Sequence, residues 1–82
     1  MRLDKYLKVS HLIKRRTIAK EAAESKRINI NSRAAKPSSE VKEGDILEIR
    51  YASKVLKIKV LSTNEYTKKD ETESMYEVLQ NE

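Results

Sequence analysis

Three consecutive cations, Lys14, Arg15 and Arg16, stand immediately before the helix-forming run TIAKEAAES. The amino end of a helix carries unpaired N–H groups and a partial positive charge, which favour an acidic first turn or a Ser, Thr, Asp or Asn cap. A triple cation at that place opposes the helix unless an anion answers it. A phosphate oxygen is such an anion, because guanidinium, ammonium and free backbone amides all donate to it. Thr17 offers a hydroxyl or a partial cap, but Lys20 stands three residues on, where a capping box needs Glu or Gln. Arg2, Lys5, Lys20, Lys26 and Arg27 extend the cationic set along a backbone, and Arg33 and Lys36 add a rim.

Other chemistry is poorly supplied. His11 is the sole histidine, and its neighbour Ser10 cannot serve as its nucleophile because adjacent side chains diverge on helix and strand alike. Half of the acids of the second half fall in NEYTKKDETESMYE, mixed with lysine on a segment read as exposed, where a carboxylate gains no useful pKa shift. With Gly44 as the only glycine there is no Gly-rich phosphate loop, and without cysteine there is no thiolate metal site. The expectation is a binding protein, not an enzyme, with no cofactor.

Eighty-two residues are enough for one small domain with a single core. The lack of cysteine fits a reducing compartment, and no run approaches the roughly 20 apolar residues that span a bilayer. The chain is therefore expected to be soluble, cytoplasmic, free of membrane partners and monomeric. Its net charge of +5 is unevenly spread: residues 1–36 hold eleven Lys or Arg against three acids, and residues 37–82 hold seven against ten. A one-signed half steers polyanions while the acidic remainder opposes indiscriminate sticking, and nucleic acid is the natural partner. There is no Phe or Trp, and the tyrosines at 6, 51, 66 and 76 are scattered. Sheets that read single-stranded RNA present clustered aromatics, so a folded RNA read by phosphates, 2′-hydroxyls and shape is expected here.

These cations need elements to hold them. Leu3, Tyr6 and Leu7 share a helical face, predicting a first helix over about residues 3 to 9, followed by a connection with Leu12 and Ile13 tucked beneath it. A second helix is predicted from Arg15 or Arg16 to Ser25, with Ile18, Ala19, Ala22 and Ala23 inward and Arg16 and Lys20 along its border. RININ alternates as a half-buried strand. A turn at Glu43-Gly44-Asp45 leads to a strand with Leu47, Ile49 and Tyr51 on one side, and a hairpin through Ala52 to Lys54 leads to another with Leu56, Ile58 and Val60 inward. TKKDETES reads as charged surface, helical or loose; MYEVL reads as a last strand or a short docked helix. The fold class is α+β: two packed N-terminal helices followed by a small, mostly antiparallel twisted sheet. The domain is placed at residues 1–63, with 64–82 a charged C-terminal extension packed back through Tyr76, Val78 and Leu79.

The blocks RLDKYL, IKRRTIAKEAAESKRININ and AKPSSEVKEGDILEI, in that order over residues 2 to 61, resemble the alpha-L RNA-binding domain of a small-subunit ribosomal protein and many pseudouridine synthases. The opening MRLDKYLKVSHLIKRR and the tail MYEVLQ are most similar to the stand-alone RqcP (YabO) family, with the heat-shock protein fifteen family more distantly related. The resemblance implies a factor of ribosome-associated quality control that meets large-subunit ribosomal RNA and tRNA on an obstructed subunit. There it would support alanine tailing of the stalled chain by an RqcH-like partner. It also matches Arg2, Asp4 and Lys5 to the family's opening motif, Arg16 to the arginine that begins its second helix, and Asn31 to a strand-end asparagine. Asp4 is otherwise read as serving the first helix's positive end or pairing with an arginine. Ser32 and Lys26 depart from the pattern, standing where glycines are usual, so left-handed backbone is harder to adopt at both. The residues alone leave two further readings open: a helix-turn-helix DNA-binding regulator, and a basic adaptor for acidic proteins.

Overall fold

Apolar alternation in INI, ILEIRY and KVLKIKV builds the sheet, and the Leu3, Tyr6, Leu7 face with the alanines of the second helix builds the layer above it. The computed structural model describes residues 1–81. Its elements are α1 (Leu3–Val9), α2 (Arg16–Glu24), β1 (Ile28–Ile30), β2 (Arg33–Ala34), β3 (Ile46–Tyr51), β4 (Lys54–Val60), a 3-10 helix (Lys69–Met75) and β5 (Tyr76–Asn81). The strands form one five-stranded sheet in the order β2-β1-β3-β4-β5, and every neighbouring pair is antiparallel. The expected α+β architecture is what the chain adopts. The two open readings at its C-terminal end resolve as a 3-10 helix over 69–75 and a six-residue final strand over 76–81.

The core joins Leu3, Tyr6 and Leu7 of α1 and Ala19 and Ala23 of α2 to Ile28, Leu47, Ile49, Ile58 and Val60 of the sheet, closed by Val41 and Met75. Two inward assignments need correction. Ile18, in the first turn of α2, is 47% exposed and Tyr51, at the end of β3, is 42% exposed. Both border a shallow apolar cleft of about 260 Å³ with Leu12, Ile13, Ile49 and Leu56, where the sheet runs on past the cover the short helices provide. The C-terminal segment is held by Met75, fully buried, and by half-buried Tyr76, whereas Val78 and Leu79 remain exposed. The Tyr6 hydroxyl donates to the Met75 carbonyl at 2.8 Å, tying α1 to the end of the chain. Burial, then the neighbouring Tyr76, raises the Tyr6 pKa well above that of a free phenol.

Left-handed backbone is present where the sequence offers no glycine. Lys26 (φ 59°) ends α2 in a Schellman arrangement, its N–H donating to the Ala23 carbonyl at 3.1 Å and that of Arg27 to Ala22 at 3.0 Å. Asn31 (φ 50°) and Ser32 (φ 69°) form the two-residue turn between β1 and β2, as a type I′ hairpin requires. The strain at Asn31 is offset by its side chain, which accepts from the Ile46 N–H at 2.9 Å and donates to Asp45 at 3.1 Å. His11 (φ 61°) ends α1 in the same conformation, its N–H donating to the Lys8 carbonyl at 3.1 Å.

Candidate nucleic-acid interface

The site begins at the amino ends of both helices. Neither has a side-chain cap. For α1 the loop that carries Pro37 substitutes: the N–H groups of Leu3 and Asp4 donate to the carbonyls of Ser39 (2.8 Å) and Pro37 (3.1 Å), and the Val41 N–H donates back to Met1 (2.8 Å). This stitching lays the loop over residues 34–41 against α1 and brings its Lys36 to the same side of the molecule as Arg2.

Between the two helix starts sits Asp4, 3% exposed. Its Oδ1 accepts from the Lys5 N–H at 2.8 Å, from Arg2 Nε at 3.2 Å and from Arg16 Nη2 at 3.4 Å, while Oδ2 accepts from Arg2 Nη2 at 3.3 Å. Burial by itself raises the Asp4 carboxyl, but the Lys5 amide, Arg16 and Arg2 more than offset it, and the pKa lies below the ordinary 3.8. The reading of Asp4 as an arginine's partner holds, and it reaches further than expected: this one carboxylate answers both Arg2 and Arg16, so the helix mouth has part of its counter-charge from within the chain. The triad still carries a net positive charge. Each arginine side chain is about half exposed, 53% for Arg2 and 50% for Arg16, and a guanidinium has more donors than these bonds to Asp4 use.

Arg2 forms the ridge between two open clefts. The first, of about 610 Å³, is lined by Arg2, Lys5, Arg16 and the segment from Thr63 to Tyr66. Lys5 pairs across it with Glu65, which the Lys5 ammonium and then the Tyr66 hydroxyl hold below the usual glutamate pKa. The second, of about 530 Å³, is lined by Arg2, Lys20, Lys26, Lys36 and the backbone around Pro37, with Glu24 lying 3.9 Å from the Lys20 ammonium. Arg2, Lys5, Arg16, Lys20 and Lys36, drawn from three separate stretches of chain, thus share one continuous surface. Lys14, Arg15, Arg27 and Arg33 are exposed but line neither cleft. Tyr66 and Asn64 were not foreseen at this surface; nothing in local periodicity ties a loop beyond β4 to the start of α1. No group of three or more His, Cys, Asp or Glu able to hold a metal occurs among the described residues. No helix among them is long and apolar enough to cross a membrane.

Comparison with known proteins gives this surface a context. Residues 1–47 match the S4 domain. The RQC P-site tRNA stabilizing factor of Bacillus subtilis (strain 168) is 52% identical over 82 residues, covering 100% of this chain and 95% of that protein. The factor of the same name from Streptococcus pneumoniae is 52% identical over 79 residues, covering 96% and 90%. Among solved structures, the trimeric heat shock protein 15 of Vibrio cholerae superposes with a TM-score of 0.86 at 25% identity, covering 95% of this chain and 80% of that one. The chain belongs to the S4-domain family and, within it, to the family of the RQC P-site tRNA stabilizing factors.

Proposed function

We propose that this protein binds structured RNA through the surface that Arg2 divides, and that it serves ribosome-associated quality control in the cytoplasm. In this reading it contacts large-subunit ribosomal RNA and tRNA on an obstructed subunit, as a monomer. There it steadies the P-site tRNA while an RqcH-like factor adds alanine to the stalled chain. One observation carries the reading: Asp4 fixes two guanidiniums from different helices beside Lys5 on one flank and Lys20, Lys26 and Lys36 on the other. Cations held at fixed spacing with donors free suit successive phosphates of a rigid backbone. The names of the relatives supply the tRNA and the P site. The outward residues of α2 include Glu21 and Glu24, which disfavour its insertion into a DNA groove.

The test is binding to purified large subunits carrying peptidyl-tRNA. Neutralising about four to six phosphates predicts a slope of log affinity against log salt of about −3 to −5. The triple variant Lys5→Ala, Lys20→Ala, Lys36→Ala leaves the Asp4 triad intact and is expected to lose subunit association and flatten that slope. Association unchanged between about 50 and about 200 mM salt, or retained in the triple variant, overturns the proposal. Charge reversal at Arg2 and Arg16 is the poorer test, because it would crowd two new carboxylates around buried Asp4 and damage the fold itself.

A further inference from the structure

Tyr66 is 83% exposed, the most exposed large apolar side chain among the described residues, yet its position is not loose. Asn64 accepts the Tyr66 N–H on its side-chain Oδ1 at 3.0 Å, the Ser62 hydroxyl accepts the Asn64 N–H at 3.2 Å, and the Thr67 hydroxyl donates to the Asn64 carbonyl at 2.7 Å. These bonds make a tight turn that presents the phenol ring at the mouth of the 610 Å³ cleft, opposite Arg2, Lys5 and Arg16. A held aromatic left in water beside three cations has two complementary functions available, a face for stacking and charges for a phosphate. The cleft lies within the range of about 300 to 1,000 Å³ typical of pockets that enclose a small ligand.

We propose that this cleft takes a single unpaired nucleotide of the bound RNA, its base stacked on Tyr66 and its phosphate held by Arg2, Arg16 and Lys5. The inference rests on the RNA-binding reading above and narrows it from backbone shape to backbone plus one extruded base. A paired base has both faces covered by its neighbours, so only a bulged, looped or terminal nucleotide can offer a face to the ring. On binding, the phosphate displaces the Glu65 carboxylate from Lys5, which frees the ammonium for the ligand. Stacking then distinguishes RNAs that present the same phosphates.

The experiment uses the full chain and two RNA hairpins of identical stem, one with a single bulged nucleotide and one fully paired. The chain has no tryptophan, so Tyr66→Trp introduces a single reporter that preserves stacking. The unaltered protein and Tyr66→Trp are expected to prefer the bulged hairpin by about ten-fold, the order of one base–aromatic stack. The tryptophan fluorescence is expected to be quenched by the bulged hairpin and not by the paired one. Tyr66→Ala is expected to bind both hairpins with the affinity of the paired one. A bulge preference that survives Tyr66→Ala, or a bound bulged hairpin that leaves the tryptophan unquenched, overturns the inference while leaving RNA binding in place. Failure of both hairpins to bind at low salt overturns the RNA-binding reading and this inference with it.

Discussion

Replacing Asp4 by Asn removes one negative charge at almost constant volume and tests whether that carboxylate organises the surface. The amide oxygen can still accept the Lys5 N–H, now 2.8 Å from Oδ1, so the α1 start is retained. What is lost is the ionic character of the bonds to Arg2 at 3.2 and 3.3 Å and to Arg16 at 3.4 Å. Hydrogen bonds to a charged group contribute about 1.5–3 kcal/mol each when buried. Here the donors are half exposed, 53% and 50%, and screening reduces each arginine's share to about 0.5–1 kcal/mol. The expected loss is about 1–2 kcal/mol near neutral pH, a fall in Tm of about 4–16 °C for a chain of this size. The pH dependence identifies the cause. The folded Asp4 pKa lies below its ordinary 3.8, so its contribution is complete above that value and is lost as pH falls through the lower, folded value. Thermal melts of the two proteins should therefore differ at pH 7 and converge as pH falls through the lower, folded Asp4 value, below which the carboxyl is protonated in both states. Equal Tm at pH 7, or a gap that persists undiminished in acid, would refute the clamp.

Three further outcomes follow from the same geometry. Tyr6→Phe should cost only about 0.5–1.5 kcal/mol in urea unfolding, because the Met75 carbonyl it abandons still accepts the N–H groups of Leu61 at 2.8 Å and Ser62 at 3.2 Å. A loss above about 3 kcal/mol would mean that the phenol holds more than this one bond. Lys26→Gly should raise stability by about 0.5–1 kcal/mol by relieving a φ of 59°, while weakening RNA binding through loss of a cation from the second cleft; urea melts and affinity measured together separate the two effects. Lys36→Ala should leave Tm unchanged and make the salt slope shallower by about 1, the loss of one phosphate contact.

Particular residues show how far the chain could be read in advance. Both helices were legible within about one residue, because their signals are local: the Leu3, Tyr6, Leu7 spacing and the alanines of α2. So was the β3–β4 hairpin, whose alternation flips side chains between faces at every step. Ile18 and Tyr51 carry the same periodic signal as their buried neighbours, yet lie past the edge of the helix cover, a limit that no window along the chain contains. Lys26 and Ser32 went the other way. Glycine would suit their backbone, but surrounding hydrogen bonds hold the left-handed conformation regardless.

Charge sign, element type and the excess of cations in the first half follow from residue identity, since each depends on neighbours a few positions apart. Which cations converge depends on contacts between segments distant in the chain. The loop at Pro37 must dock on α1 before Lys36 can join Arg2, Asp4 must be buried between two helices before it can bridge their arginines, and the turn at Asn64 must fold back before Glu65 reaches Lys5 and Tyr66 joins the cleft. Packing sets those distances, and packing is a property of the whole core.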